Sequence, residues 1–397
     1  MDILLAKDYF RQKLPVPNLP RAKSIVIRYM VYHYIKTGNL LPLLPDDPQD
    51  IKTVHQALTL ILQNKDVKIL CIIDVKDCGA AFRFLLPLLA ATQGRWLLTG
   101  TPRLLARPIT PLISSLQNMG AQIARHPNGS LSIQGTKINA PVASIDCEQS
   151  SQFASALLLS SKLLGIEKLT ITPDCPPSES YIRMTKEVMT QYDRSGLPET
   201  FENDWSAAAF WYAWAYLNDF DTLILPNLSL NSIQGDAVTA QWFTDLGVIS
   251  MQIGDSIHLT RGGAKARRRE DAQGEGDVLP KVKFHLSQNI DLAPLMIVLA
   301  AIDDRIETIT GIENLNLKES NRRDELLASL SIFYDLQYEN SCLIKIKKRA
   351  NLPEIHNLTF DARQDHRLVM AYALLSSFYS VRVVGAEAVE KSYPVFF

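Results

Sequence analysis

The sequence predicts an α/β protein of two similar halves, and three observations carry that expectation. An apolar segment rich in Ala, Leu and Ser, opening on a polar or small residue, recurs six times, with starts near residues 24, 79, 150, 205, 291 and 365. A second, amphipathic kind of segment lies between successive copies, at 51–62, 108–119, 181–192, 236–246 and 319–330. Several of these end at a Gly or polar break and run into β-branched residues, as in Asn118-Met119-Gly120 before 121–126 and Asp245-Leu246-Gly247 before 248–253. That order reads as helix, turn, strand.

The elements follow in turn. The segments from Ser24, Gly79, Ser150, Trp205, Asp291 and Asp365 are apolar nearly all round, so each reads as a buried helix. With the amphipathic helices and short strands they make six units, and units of this length bury their faces against their neighbours. The sixth is short, because the chain ends at Phe397 where its second helix would begin. Three units plus three give two domains, one of residues 1–20 with 203–397, the other of 21–202. A polar insertion at 261–279 interrupts the fourth unit. Its Lys265, Arg267, Arg268 and Arg269 read as a solvated hairpin tip offset by the acids that follow, with a binding patch as the alternative.

Composition narrows the function. Of 397 residues, 47% are hydrophobic and 21% charged, the profile of a folded chain. A net charge of −1 offers no bulk field to nucleic acid or a membrane surface. The start, Met1 to Lys7, is no secretory signal, and the richest apolar stretch, 84–91, is too short to span a bilayer. No two of the five cysteines stand at metal-ligand spacing, so all five read as reduced, small buried hydrophobes of a cytoplasmic protein.

The buried helices start on Ser, Gly or Asp, where exposed N–H groups and a partial positive charge suit phosphate or carboxylate. Ordinary capping accounts for any one of these starts. It does not account for Lys23, Arg28, Arg107, Lys318, Arg322, Arg367 and Lys391, which all lie at or near element boundaries. Pro108 suits a first helical residue, which puts Arg107 at a helix entrance. Lys318 and Arg322 are four apart and so share a helical face. Cations of this number suit ligands carrying several negative charges.

The motifs then become specific. Pro20-Arg21-Ala22-Lys23-Ser24 with Arg28, Asp77-Cys78-Gly79-Ala80-Ala81-Phe82-Arg83, Leu98-Thr99-Gly100 with Arg103 and Arg107-Pro108-Ile109, and Ser150-Ser151-Gln152-Phe153 come in order. Ser178 with Tyr181, Ser232-Ile233-Gln234-Gly235-Asp236, Lys318-Glu319-Ser320-Asn321-Arg322, Asp365-His366-Arg367 and Lys391-Ser392-Tyr393-Pro394 complete the series. This series, from about Pro20 to Phe396, resembles the enolpyruvyl transferase family, and within it the branch that acts on shikimate 3-phosphate. Asp77 and Ala80 depart from the Asn and Thr of the family pattern.

The resemblance implies two domains, each of three βαβαββ units (an inside-out α/β barrel), with helix N-termini facing a cleft. It implies transfer of the enolpyruvyl group of phosphoenolpyruvate to the 5-hydroxyl of shikimate 3-phosphate by addition and elimination, with release of phosphate. Ser150, Ser151, Ser178 and Lys318 would hold the shikimate phosphate, and Ser24 and Arg28 its carboxylate, with Asn314 and Tyr181 lining the pocket. Lys23 and Gln152 would touch both substrates. Gly79, Arg107, Arg322, Arg367 and Lys391 would hold phosphoenolpyruvate with them. Asp291 would accept the hydroxyl proton, and Glu319, with Lys23 and His366, would manage protons at the methylene carbon and leaving phosphate. The same resemblance implies a monomer with no metal or organic cofactor, and the near-neutral charge argues for no nucleic-acid or membrane partner. Two other readings stay open: a UDP-N-acetylglucosamine enolpyruvyl transferase, disfavoured by the absence of a cysteine in 104–106, and a non-catalytic homologue that binds shikimate phosphate, which the altered Asp77 and Ala80 would suit.

Overall fold

A helix with no polar face has to be enclosed by the rest of its domain. The computed structural model describes residues 1–64, 69–261, 281–340, 342–348 and 357–397, with the backbone alone at 344–348, and all six apolar segments form such helices. The Lys265 to Arg269 charge run lies outside the described residues. The chain divides into two compact units, Arg21–Phe201 and Met1–Pro20 with Glu202–Phe397.

Strand β1 (Asp2–Leu5) opens the chain. The middle unit then runs α1 (Lys23–Thr37), α2 (Gln49–Asn64), β2 (Leu70–Asp74), α3 (Gly79–Ala91), β3 (Gly94–Thr99), α4 (Pro102–Leu105), α5 (Thr110–Asn118), β4 (Gln122–Arg125), β5 (Leu131–Gly135), β6 (Val142–Asp146), α6 (Gln152–Leu159), α7 (Ser161–Leu164), β7 (Lys168–Thr172) and α8 (Glu179–Ser195). Helix α1 stops at Gly38, whose φ of 74° lets its N–H reach the Tyr34 carbonyl, a left-handed turn that other residues adopt only with strain. Sheet order is β2-β3-β5-β4, with β2 parallel to β3 and the other pairs antiparallel, and β6 pairs with β7 in parallel.

The other unit continues with α9 (Trp205–Leu217), β8 (Leu223–Leu225), α10 (Thr239–Leu246), β9 (Val248–Ile253), β10 (Ser256–Arg261), β11 (Val282–His285), α11 (Ala293–Ile302), β12 (Ile306–Thr310), α12 (Arg322–Leu330), β13 (Tyr334–Glu339), β14 (Cys342–Lys348), β15 (Asn357–Asp361), α13 (His366–Ala373) and β16 (Ser380–Val384). Its core gathers Trp205, Trp211, Trp214 and Tyr212 of α9 with Phe10, Phe243 and Phe396. Each such side chain contributes about 1.5–3 kcal/mol by leaving water.

The predicted repeat is visible in the sheets. Order β11-β12-β14-β13 repeats β2-β3-β5-β4, parallel pair and all. Residues 70–135 and 282–348 therefore each carry the complete β-α-β-α-β-β pattern, and the other units carry parts of it. The sixth is completed from the far end of the chain: β1 pairs antiparallel with β16, Asp2 opposite Val384. Its second helix, expected to fall where the chain ends, is instead the 3-10 turn Ala386–Lys391 within it. One expectation about cysteines fails. Cys78 and Cys147 are buried, but Cys71 and Cys342 are only partly so, and Cys175 is exposed on the loop before α8. Among the described residues no helix is long and apolar enough to cross a membrane.

Candidate active site

In the middle unit the predicted residues collect at helix starts. Lys23 and Ser24 open α1, Gly79 opens α3, Gln152 opens α6, and Ser178 caps α8 in the left-handed conformation. Two buried guanidiniums tie these starts together. Arg28 donates from Nε to Thr185 Oγ1 (2.7 Å) and from its Nη atoms to the carbonyls of Ser24 (2.7 Å) and Tyr181 (3.2 Å), linking α1 to α8. It also reaches Ser155 of α6 at 3.5 Å and lies over the rings of Phe84 and Tyr181. Burial, set against a small lift from Tyr181, pulls Arg28 down to about 10.

Arg83 does the same for α3. It donates to the Gly79 carbonyl (3.2 Å), Gln152 Oε1 (2.9 Å) and the Pro108 carbonyl (3.1 Å). A Cβ on Gly79 would stand 2.8 Å from Arg83 Nη1 and 2.9 Å from Arg107 Nη1, so glycine is what lets two cations approach one helix start. Ser150 Oγ accepts from Gln152 N at 3.3 Å, and Ser151, buried, precedes α6. Lys23 is held by an acid outside the motifs, Asp50 on α2, at 2.7 Å.

In the other unit a second constellation forms around Asp291, on the 3-10 turn Ile290–Leu292 that leads into α11. Its carboxylate lies 3.3 Å from Lys318 Nζ, 3.4 Å from Arg322 Nη1 and 3.9 Å from Arg367 Nη2. Burial pushes Asp291 up, but Lys318, Arg367 and Arg322 together outweigh it and hold the carboxyl well below the usual range. Asp365, wholly buried, caps α13 at Arg367 N and receives both Arg322 Nε (2.7 Å) and Nη2 (3.0 Å) in a two-pronged pair. Arg322 Nη2 also reaches Glu319 Oε2 at 2.7 Å, and Glu319 Oε1 lies 3.8 Å from Lys391 Nζ. Burial opposes the Arg322 charge; Asp365 and Glu319 more than restore it and push the group above its ordinary value. His366 opens α13, with Nδ1 4.0 Å from Asp365, and Asn314 is half-buried on the 3-10 turn Glu313–Leu317.

Two local expectations are corrected. Helix α5 begins at Thr110, with Pro111 rather than Pro108 in its first turn, so Arg107 stands in the bend before the helix. Lys318 and Arg322 do not share a helical face: Lys318 is extended (φ −86°, ψ −157°) and α12 starts only at Arg322. They meet at Asp291 because the intervening Glu319–Asn321 loop turns back, fastened by Ser320 Oγ to Asp365 at 2.9 Å. Asp365, Arg83 and Asp50 carry the geometry but had no assigned role. Arg83 was findable, since four residues from Gly79 places it on the same helical face. Asp365 stood inside a recognised motif. Nothing in the sequence marked Asp50.

A chain with these two repeated α/β units and these constellations has the fold of the enolpyruvyl transferases, and the comparisons agree. The family profile of EPSP synthase (3-phosphoshikimate 1-carboxyvinyltransferase) matches residues 50–195 and 196–397. A 3-phosphoshikimate 1-carboxyvinyltransferase of Bacteroides fragilis is 29% identical over 405 residues, covering 95% of this chain and 92% of that one. One from Pyrococcus abyssi is 26% identical, covering 82% of this chain and 77% of its own. Among solved structures, EPSP synthase of Acinetobacter baumannii superposes with a TM-score of 0.64 at 18% identity, covering 96% of this chain and 93% of that one. The enolpyruvyl transferase NikO of Streptomyces tendae superposes with a TM-score of 0.62 at 13% identity, covering 95% and 91%. The chain belongs to the EPSP synthase family, and its chemistry at that level is enolpyruvyl transfer.

Proposed function

We propose that this protein transfers the enolpyruvyl group of phosphoenolpyruvate to the 5-hydroxyl of shikimate 3-phosphate, in the cytoplasm and as a monomer. The observation that carries the reading is Asp291, a carboxylate held among Lys318, Arg322 and Arg367. Phosphoenolpyruvate brings about three negative charges and the phosphorylated acceptor about three more, given a second phosphate pKa near 6. Cations at helix starts answer that charge.

The reaction is an addition followed by an elimination. A proton joins the methylene carbon of phosphoenolpyruvate while the 5-hydroxyl oxygen bonds to its C2 and gives its own proton to Asp291. A tetrahedral ketal results. Loss of a proton from the new methyl group then expels phosphate and restores the double bond. Glu319, with Lys23 and His366, handles the proton at that carbon and at the leaving phosphate. Arg107, Gln152, Arg322, Arg367 and Lys391 hold phosphoenolpyruvate, with the backbone of Gly79. Ser150, Ser151, Ser178 and Lys318 hold the acceptor's phosphate, and Asn314 and Tyr181 line its site. Ser24 and Arg28 take its carboxylate; three of the five guanidinium N–H groups of Arg28 serve Thr185, Ser24 and Tyr181, so the carboxylate meets an already fixed group.

Asp291 is a poor base while three cations stabilise its charge. An anionic substrate that draws those cations to itself raises the carboxyl toward a useful value. The test is phosphate release from phosphoenolpyruvate with and without shikimate 3-phosphate. Release that requires both substrates and vanishes in Lys23→Ala and Asp291→Ala supports the reading. Release with a UDP-amino sugar in place of the shikimate ester would contradict the acceptor, and binding without release would contradict catalysis.

A further inference from the structure

The motif Ser232-Ile233-Gln234-Gly235-Asp236 has no part in the scheme above, yet it ends on a carboxylate that is 4% exposed. Its side chains grip the start of α9 and the residues before it. Ser232 Oγ (2.5 Å) and Gln234 Nε2 (3.0 Å) both donate to Glu202 Oε2, while Gln234 also donates to the Asn203 carbonyl and accepts from Trp205 N at 3.0 Å. Asp236 extends the grip in two directions. One oxygen accepts from Ser206 Oγ, on the first turn of α9; the other accepts from Asn289 Nδ2 at 3.1 Å.

Asn289 is the residue on which the Asp291 turn is built. It is buried, its N–H donates to the Leu286 carbonyl at 2.9 Å, and its own carbonyl accepts from Leu292 N at 2.9 Å, which closes the turn around Asp291. We propose that Asp236 is a positioning residue for enolpyruvyl transfer, which through Asn289 sets the turn that presents Asp291. The proposal rests on the reading of Asp291 as the base. A buried carboxylate held by one donor on each oxygen is a stiff anchor, because rotation strands a polar group away from water. Burial and the nearness of Asp291 both push the Asp236 carboxyl up, with Ser206, Arg367 and Asn289 opposing, which agrees with a place directly behind the Asp291 turn.

The experiment is a double-mutant cycle in the full chain, with Asp236→Ala, Asn289→Ala and their combination, reading kcat and KM for both substrates beside thermal unfolding. Each single change lowers kcat by roughly 10- to 100-fold while both KM values stay within about threefold, the pattern of a displaced reacting group. The double variant falls no further than the worse single, because both act through one contact. Asp236→Asn, which keeps the shape and an acceptor oxygen, stays within roughly threefold of the parent kcat. It also keeps the test open should Asp236→Ala not fold, since Asn289→Ala must then still show the kcat loss. Losses that multiply in the double variant, or singles that merely lower the unfolding temperature, overturn the proposal. So does full kcat in both singles beside a slow Asp291→Asn, and there the base assignment stands. An Asp291→Asn variant that keeps its kcat overturns the base assignment and the proposal with it.

Discussion

Arg28 and Arg322 are both buried guanidiniums at the centre of a site constellation, one in each unit, and their surroundings are opposite. Arg28 is met by a threonine hydroxyl and two carbonyls, so burial dominates and its value falls to about 10. Arg322 is met by Asp365, Glu319 and Asp291, and its charge is reinforced. The contrast assigns labour. A guanidinium held by neutral groups keeps its charge for a ligand. One matched by carboxylates has much of its charge answered within the protein, so beside its proposed contact with phosphoenolpyruvate it places acids that can move protons. Arg83 of the middle unit, also buried, shares the first pattern in part: its bonds to Gly79, Gln152 and Pro108 are likewise to neutral acceptors.

Stability separates the two arginines most strongly. Arg322→Met strands Asp365, which is 0% exposed, and should cost about 3–5 kcal/mol in urea unfolding. Arg28→Met leaves only hydroxyls and carbonyls short of a donor and should cost about 1–3 kcal/mol. Equal losses would erase the distinction.

Acid sharpens it next. Asp291 is held below the usual carboxylate range, so the stability it contributes is complete above the unfolded-state value of about 3.9 and is lost as pH falls below that toward the depressed folded value. The difference in unfolding free energy between parent and Asp291→Asn should therefore be flat through neutral and mildly acid pH and shrink only below roughly pH 4. A difference that already shrinks at pH 6 would contradict the ion cluster.

A smaller effect tests the middle unit. In Gly79→Ala the new methyl meets the tips of Arg107 and of Arg83, and Arg83 is buried and bonded to three acceptors, so the change should cost about 1–2 kcal/mol in unfolding. The guanidiniums it displaces should raise KM for phosphoenolpyruvate by roughly tenfold with kcat nearly kept. A fall in kcat instead would place Gly79 in the chemistry.

Helix positions were readable because the apolar segments have no polar face, and the interleaved amphipathic ones show the period of a helix plainly. Strand pairing was less so. The join of β1 to β16 links residues nearly a whole chain apart, and no local pattern records such a contact. At the site, residue types at helix starts pointed to Lys23, Gly79 and Asp291 without a structure. Spacing misled where the backbone left the helix, as at Lys318 and Pro108. The lock between Arg322 and Asp365 and the pair of Lys23 with Asp50 depend on tertiary approach, so the motif letters alone could not tell a ligand contact from a support.

The division of labour is tested most directly by steady-state kinetics of Arg28→Lys and Asp291→Asn side by side. Arg28→Lys should raise KM for shikimate 3-phosphate by at least roughly tenfold with kcat largely kept, and Asp291→Asn should lower kcat by roughly a hundredfold or more with KM nearly unchanged. Loss of kcat in Arg28→Lys, together with an unimpaired kcat in Asp291→Asn, would contradict that division.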